Sequence, residues 1–312
     1  LRDLVLRHAT DWQLPQTFSD WVTRQNHFLN TLVDRIVPGY PATEAEDLFA
    51  QFGYTDPLLV AAEPFHLWVI EGPRALAGEF PLHKVGLNVI WTDDLKPYRA
   101  SKVRILNGGH TASVLAAFCG GLDTVGEMMD HEVMARFLRR VVFDEIVPFV
   151  PLPDAERRQY AESVLERFTN PYIRHELLSI ALNSVSKWKV RVLPSVLDYA
   201  RAHGHAPAGL AFSLAALLWF YRGQFDAAGE FSGRRAAGAY PIRDDRAALE
   251  IFDTAWRDPV NVAPTLLADK RLWGMDLTTV PELTLRVGET LDRIAGVGLL
   301  PALADLLAHH PN

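Results

Sequence analysis

The sequence predicts a mainly helical α+β chain: the trailing part of a doubly wound α/β sheet over residues 1–97, then an all-helical unit over residues 98–312. Three observations carry this reading. Before Pro97, short β-branched runs alternate with helical stretches. After it, segment upon segment repeats its apolar residues at a 3.6-residue period. The strand candidates are too few to build an independent doubly wound sheet, so the first part reads as the remainder of a larger one.

Taken in order, residues 1–8 and 18–24 have helical spacing. Residues 30–37 are rich in β-branched side chains and stop at Pro38-Gly39, a turn signal. Residues 44–52 return to helix. Residues 57–70 carry two short apolar runs broken at Glu63-Pro64, and residues 86–91 are a further strand candidate. Helices are then expected over 98–119, 131–147, 154–168, 171–187, 189–202, 209–224, 244–257, 281–296 and 300–309. Asn170-Pro171, Pro153-Asp154 and Pro281-Glu282 are start signals, and Pro194 ends or kinks the helix before it. Trp12, Trp21, Trp68 and Trp219 fall on apolar faces and are expected in the core. The opening Leu1-Arg2-Asp3-Leu4 already has helical periodicity, which predicts a chain that starts inside a longer protein.

With 49% hydrophobic and 22% charged residues, the 312-residue chain has the balance of a globular protein. Its net charge of -7 argues against nucleic acid or an anionic membrane as partner. Cys119 is the one cysteine, so no internal disulfide forms, which fits a reducing cytoplasm. A zinc site built from several cysteines is excluded for the same reason. The apolar run over 206–221 is too short for a membrane span and is interrupted by Pro207, Gly209 and Ser213. No signal peptide is visible.

The strongest local pattern is Lys102-Val-Arg-Ile-Leu-Asn107-Gly-Gly-His110. On an α-helix turning about 100° per residue, Asn107 lies about 140° from Lys102 and His110 about 80° from it. The three share one arc with Val103 and Leu106, so the arc faces inward. A base, an amide and an imidazole on such an arc can surround one small molecule. Gly108 and Gly109, each costing a helix about 1 kcal/mol relative to alanine, need a reason. Either a ligand or a packed helix approaches the backbone there. The plainer alternative makes Lys102 a surface lysine and the glycines a packing contact.

The pattern Lys-x4-Asn-x2-His resembles the signature of the polyol-specific long-chain dehydrogenases, the mannitol dehydrogenase family. Asn30-Thr-Leu-Val-Asp34-Arg-Ile, Glu63-Pro-Phe-His-Leu-Trp-Val-Ile-Glu71 and Asn170-Pro-Tyr-Ile occur in the family's order. Within the family, Trp68-Val-Ile-Glu-Gly72, Trp91-Thr-Asp-Asp94 and Ser179-Ile-Ala-Leu-Asn-Ser-Val-Ser-Lys187 resemble the tagaturonate reductase (altronate oxidoreductase) branch. The resemblance covers most of residues 1–225.

The resemblance implies a Rossmann-type cofactor domain followed by a helical domain like that closing 6-phosphogluconate dehydrogenase. It implies NAD as cofactor, a sugar acid or polyol as substrate, no metal, and a cytoplasmic monomer or simple homo-oligomer. Lys102 would be the general base, which requires a desolvated amine, with Asn107 and His110 hydrogen-bonding the reacting oxygen. Asp34 would lie beside cofactor and substrate; read without the family, it is an acid paired with Arg35 or a turn acceptor. Lys187 would face substrate oxygens. Ser179, Asn183 and Lys187 also form a polar line at i, i+4 and i+8, a pattern more often solvent-facing than functional. Where the polyol enzymes carry an arginine this chain has Ser179, which counts against a mannitol-like substrate. Arg174 and His175, one turn earlier, are candidates for binding a substrate carboxylate.

The phosphate-binding Gly-x-Gly-x-x-Gly is absent from the sequence; Gly296-Val-Gly298 has no third glycine and no strand before it. The chain alone is therefore expected to hold NAD weakly and to be inactive. His131-Glu-Val-Met-Ala135 and His175-Glu-Leu-Leu-Ser179 each carry half a zinc-protease motif. No Gly-x-Ser-x-Gly elbow exists, and the other histidines read as ordinary surface or core residues. The competing functions are a mannitol, fructuronate or arabinitol dehydrogenase and, from another class, a non-catalytic helical interaction module. The last needs a large exposed apolar face that the periodicity does not demand.

Overall fold

The computed structural model describes residues 1–172 and 175–309. The chain divides into two compact units, Leu1–Arg99 and Ala100–Asn312.

In the first unit, α1 (Arg2–Asp11) and α2 (Gln16–Gln25) precede β1 (Asn30–Asp34). Helix α3 (Ala45–Phe52) separates β1 from β2 (Leu67–Glu71), and β3 (Val89–Thr92) completes the sheet. The order is β1-β2-β3, with β1 antiparallel and β3 parallel to β2. Val69 and Ile70 on the central strand are buried. The strand expected over 30–37 stops at Asp34 because a side chain takes over the pairing. The Ile36 N–H donates to the Glu63 carboxylate at 2.6 Å, and Arg35 Nε donates to the Glu63 carbonyl at 2.8 Å. Arg35 thus turns to Glu63.

Two tryptophans expected in the core are not there. Trp12 is 70% exposed and Trp21 54% exposed. Within their helices only Ala9 and Val22 are buried, so an apolar stripe one helix wide is not matched by a covering surface. Trp68 and Trp219 are half-buried. The fully buried indoles belong to Trp188 and Trp273, packed edge-to-face at 5.6 Å.

The second unit is built around a broken helix. The stretch expected as one helix over 98–119 is α4 (Lys96–Ser101), a π-helical turn over Lys102–Asn107, and α5 (Gly108–Cys119). Then come α6 (Val125–Asp130), opened by a full capping box between Thr124 and Glu127, and α7 (Glu132–Arg140). A second π turn, Val141–Ile146, follows, and α8 (Asp154–Phe168) begins behind Pro153 as expected. The helix expected over 171–187 is instead interrupted. Asn170 accepts from the Tyr172 N–H at 3.0 Å in a turn, α9 spans only Leu177–Ile180, and α10 starts at Ser184 and ends at Arg191. The break is Asn183, in the left-handed region at φ 55.

Helix α11 (Leu193–His203) carries Pro194 in its first turn. Helix α12 (Ala208–Phe220) is apolar all round and buried nearly throughout, the pattern of a core helix. It packs on α5 and on α16 (Leu283–Val297), reached through α13 (Arg246–Ala255), α14 (Val262–Ala268) and α15 (Lys270–Trp273). Each of its leucines removed from water contributes about 1.5–3 kcal/mol. Helix α17 (Leu299–His309) lies against α16 and α7. Gly209 permits the close start of α12: a Cβ there would meet Val141 Cγ2 at 2.7 Å and the Glu145 carboxylate at 3.0 Å.

The second unit also contains a small antiparallel sheet, β4 (Gly223–Phe225), β5 (Phe231–Arg235) and β6 (Gly238–Pro241), where the sequence predicts only helix and loop. Its strands are three to five residues long and glycine-interrupted, too short to show a period of two. Arg235 ties it to α5, with its guanidinium over the Phe118 ring at 4.0 Å and donating to the Phe118 carbonyl at 3.0 Å. Among the described residues no helix is long and apolar enough to cross a membrane.

Candidate active site

The site begins at the first π turn. A π turn closes i→i+5 hydrogen bonds, and such turns recur at functional positions. Its wider coil carries position i+5 back toward position i. Asn107 therefore returns toward the face of Lys102 more closely than the 140° that regular α geometry gives. Both residues are half-buried. The turn is held from its other side by Arg104, which donates to Ser195 Oγ at 3.0 Å and to the Phe149 carbonyl at 2.9 Å, and pairs with Asp198 at 2.9 Å. Thr111 Oγ1 donates to the Asn107 carbonyl at 2.8 Å, satisfying a backbone oxygen at the end of the widened turn.

His110, one turn into α5, is buried at 6% exposure. Its ring stacks on Phe168 at 3.8 Å and 6° between planes, and meets the edge of His175 at 5.7 Å and 90°. Burial, followed by the nearby His175, Arg191 and Arg167, pushes His110 down to about 3, so it is a neutral imidazole in the physiological range. Its Nε2 is buried with no hydrogen-bond partner among the described residues. A buried polar atom without a partner calls for a specific explanation, and a ligand oxygen is one.

The glycines before it are explained by helix packing rather than by a ligand. A Cβ on Gly108 would lie 3.2 Å from the Arg191 carbonyl, and one on Gly109 3.4 Å from Val142 Cγ2. This contact seats α10 against α5. Lys187 on α10 is half-buried and donates to the Ile180 carbonyl at 2.8 Å. Burial lowers its pKa, neighbouring Arg191 lowers it further, and Asp244 opposes both. Arg191, one turn on, donates to Thr111 Oγ1 at 3.4 Å.

The other predicted positions divide. Ser179, Asn183 and Lys187 do not share one helix, because Asn183 interrupts it. Asn183 is exposed; its N–H donates to the Arg243 carbonyl at 3.0 Å, and its own carbonyl accepts from Lys187 N at 3.2 Å. Its visible part is to start α10. Asp34 ends β1 in the first unit, opposite Leu67, and is buried at 1% exposure. Arg174 lies outside the described residues. Sequence reasoning missed Arg191 and the packing of His175 on His110. Arg191 was within reach, since it extends the four-residue spacing of Asn183 and Lys187 by one more step.

Among the described residues no three His, Cys, Asp or Glu side chains gather as metal ligands. The glycines of the first unit do not form a phosphate cradle. Gly72, which follows β2, is closed by Leu29, whose Cδ2 lies 2.7 Å from where a Cβ would stand. Gly39, Gly53 and Gly86 occupy positive-φ turns. The phosphate contacts of a dinucleotide are accordingly assigned to none of these residues.

Comparison with known proteins agrees with this architecture. A profile of the mannitol dehydrogenase Rossmann domain matches residues 1–84, and one of the mannitol dehydrogenase C-terminal domain matches residues 94–295. The chain belongs to the mannitol dehydrogenase family. The altronate oxidoreductases of Yersinia enterocolitica (serotype O:8 / biotype 1B) and Escherichia coli (O1:K1 / APEC) are each 45% identical to it, over 97% and 98% of this chain. The chain spans 62% and 63% of the length of these curated relatives. Among solved structures, a Pseudomonas fluorescens mannitol 2-dehydrogenase ternary complex with NAD and D-mannitol superposes with a TM-score of 0.76 at 25% identity. That match covers 95% of this chain and 57% of the other. A D-sorbitol dehydrogenase in substrate-free form shares the fold at a TM-score of 0.72.

Proposed function

We propose that the protein containing this chain is an NAD-dependent dehydrogenase of sugar acids that interconverts tagaturonate and altronate without a metal. The observation that carries the chemistry is the buried, neutral His110 with an unpartnered Nε2, set one helical turn beyond the π turn that carries Lys102 and Asn107. The substrate assignment is supported by 45% identity to altronate oxidoreductases over nearly the whole chain.

In the oxidising direction Lys102 takes the proton of the reacting hydroxyl while hydride leaves the same carbon. In the reducing direction its ammonium returns that proton to the carbonyl oxygen. When bound, the nicotinamide supplies or accepts the hydride. Asn107 and the neutral His110 each donate a hydrogen bond to the reacting oxygen and stabilise the negative charge that develops there. An imidazole already neutral and stacked on Phe168 needs no reorganisation to act so. Lys187 and Asn183 are assigned to the substrate's remaining oxygens and Asp34 to the cofactor side, while Arg174, the carboxylate candidate of the sequence pattern, lies outside the described residues. Solvent exposure of Lys102 is partial, as a base that must both reach substrate and lose water requires.

The test is NADH oxidation by the full-length protein with tagaturonate, fructuronate and fructose in parallel. Tagaturonate is expected to give the highest kcat/KM, and turnover of fructose alone rejects the sugar-acid assignment. EDTA is expected to leave the rate unchanged; a loss restored by a divalent metal rejects the metal-free mechanism.

A further inference from the structure

We infer that Arg191, a residue the sequence pattern did not mark, is the carboxylate clamp of the site: its guanidinium takes the acid group of the substrate and so sets the preference for a sugar acid over a neutral sugar. The inference rests on the sugar-acid reading above and deepens it.

The argument starts from how this unit treats its other half-buried arginines. Arg104 pairs with Asp198 at 2.9 Å, Arg157 with Asp154 at 3.0 Å and Arg286 with Glu282 at 2.7 Å, while Arg235 pairs with Asp123. Arg191 is half-buried too, and burial depresses its pKa with no counter-charge opposing it. Among the described residues it has no carboxylate partner, and its one hydrogen bond, to Thr111 at 3.4 Å, is long. A partly desolvated cation without an anion is unfavourable, so the site is incomplete in electrostatic terms.

The location decides what completes it. Thr111 follows His110 directly, and the charge of Arg191 is felt at the His110 ring. Lys187 sits one turn earlier on the same helix with its amine committed to the Ile180 carbonyl. The guanidinium is thus anchored on the residue next to His110, whose unpartnered Nε2 is nine-tenths buried. One group suits the reacting oxygen, the other a bidentate carboxylate. A neutral polyol would leave the guanidinium unpaired; a sugar acid satisfies both.

The experiment uses the full-length enzyme, its Arg191→Gln and Arg191→Lys variants, and two substrates, tagaturonate and its neutral counterpart tagatose. For Arg191→Gln, kcat/KM for tagaturonate is expected to fall about 10- to 100-fold, mostly through KM, as for loss of a charge-assisted bond. With tagatose it changes less than about threefold, and Arg191→Lys falls between, keeping charge but not the fork. Equal losses on both substrates overturn the clamp and make Arg191 a packing residue of α10. If the glutamine variant does not fold, as thermal melting would report, the lysine variant decides by the same ratio. If the unaltered enzyme prefers tagatose, the sugar-acid reading falls and takes the clamp with it. If it prefers tagaturonate and the ratio ignores Arg191, the clamp alone falls.

Discussion

The described residues of the second unit contain two π turns, and they solve opposite problems. Val141–Ile146 carries Glu145, buried at 3% exposure, whose two carboxylate oxygens accept from the Gly209 and Leu210 N–H groups at 2.8 and 2.7 Å. Those amides are among the first of α12, which have no partner within the helix. Every polar group in that arrangement is answered. Lys102–Asn107 is followed by His110, equally buried, whose Nε2 is answered by nothing among the described residues. The same backbone device serves packing in one place and an open valence in the other. A widened turn therefore does not mark a site by itself; the unfilled hydrogen bond beside it does.

The comparison breaks most sharply at the lysine. Replacing Lys102 by methionine in the full-length enzyme should lower kcat by about 10²–10⁴-fold with little change in melting temperature. A stability loss without a rate loss would make the first turn structural like the second. Replacing Gly209 by alanine should do the reverse. The added methyl meets Val141 and the Glu145 carboxylate, and a destabilisation of about 1–3 kcal/mol in urea unfolding is expected, with the per-molecule rate of the folded enzyme retained. His110→Asn should reduce kcat by about 10- to 100-fold without moving the pH profile, because the native ring is already neutral.

The two turns should also separate by pH. His110 is pushed from its ordinary 6.5 down to about 3, so below about pH 6.5 the unfolded chain takes up a proton that the folded one refuses. Its contribution to stability is present above 6.5 and falls as pH falls. Glu145 is raised from 4.5 to about 7 by burial, against the pull of its two amide donors. Its contribution is greatest below 4.5 and is lost as pH rises through 7. Between pH 6.5 and 5 the two contributions run in opposite directions and nearly cancel, so the stability difference between the unaltered chain and its His110→Asn variant, measured by unfolding at both pH values, should shift by roughly 1–2 kcal/mol in favour of the variant at pH 5. The smallest effect is expected far from both turns: Trp12→Ala should change stability by less than about 0.5 kcal/mol, as befits a side chain 70% exposed.

Much of the helical unit could be read from the sequence because long periodic segments with proline or acid at their starts leave few alternatives. Helix α8 begins behind Pro153 for that reason. What failed was whatever departs from regular geometry. The π turn shifts Asn107 around the axis without changing the apolar pattern, so the Lys102, Asn107 and His110 grouping was legible but its geometry was not. Asn183 breaks a stretch with unbroken 3.6-residue spacing, because tertiary bonds to Arg243 and Asp244 outweigh local preference. Trp12 and Trp21 show that periodicity identifies a face and not what covers it. Arg191 and the contact of His175 with His110 depend on α10 and the segment leading into α9 meeting α5, which spacing within one segment does not reveal.

The left-handed residue at 183 has a further consequence, for the order in which the site can form. The first turn of α10 is latched by the Arg243 carbonyl on Asn183 and by the Asp244 carboxylate on the Val185 N–H, 59 residues away along the chain. The segment bearing Lys102 and His110 also relies on distant partners, Arg104 on Phe149, Ser195 and Asp198 and His110 on Phe168, but all of these are made before residue 199. The helix bearing Lys187 and Arg191 is latched by residues made later still. It must wait until the ribosome has released the strands beyond it, so the two groups of side chains are fixed at different times.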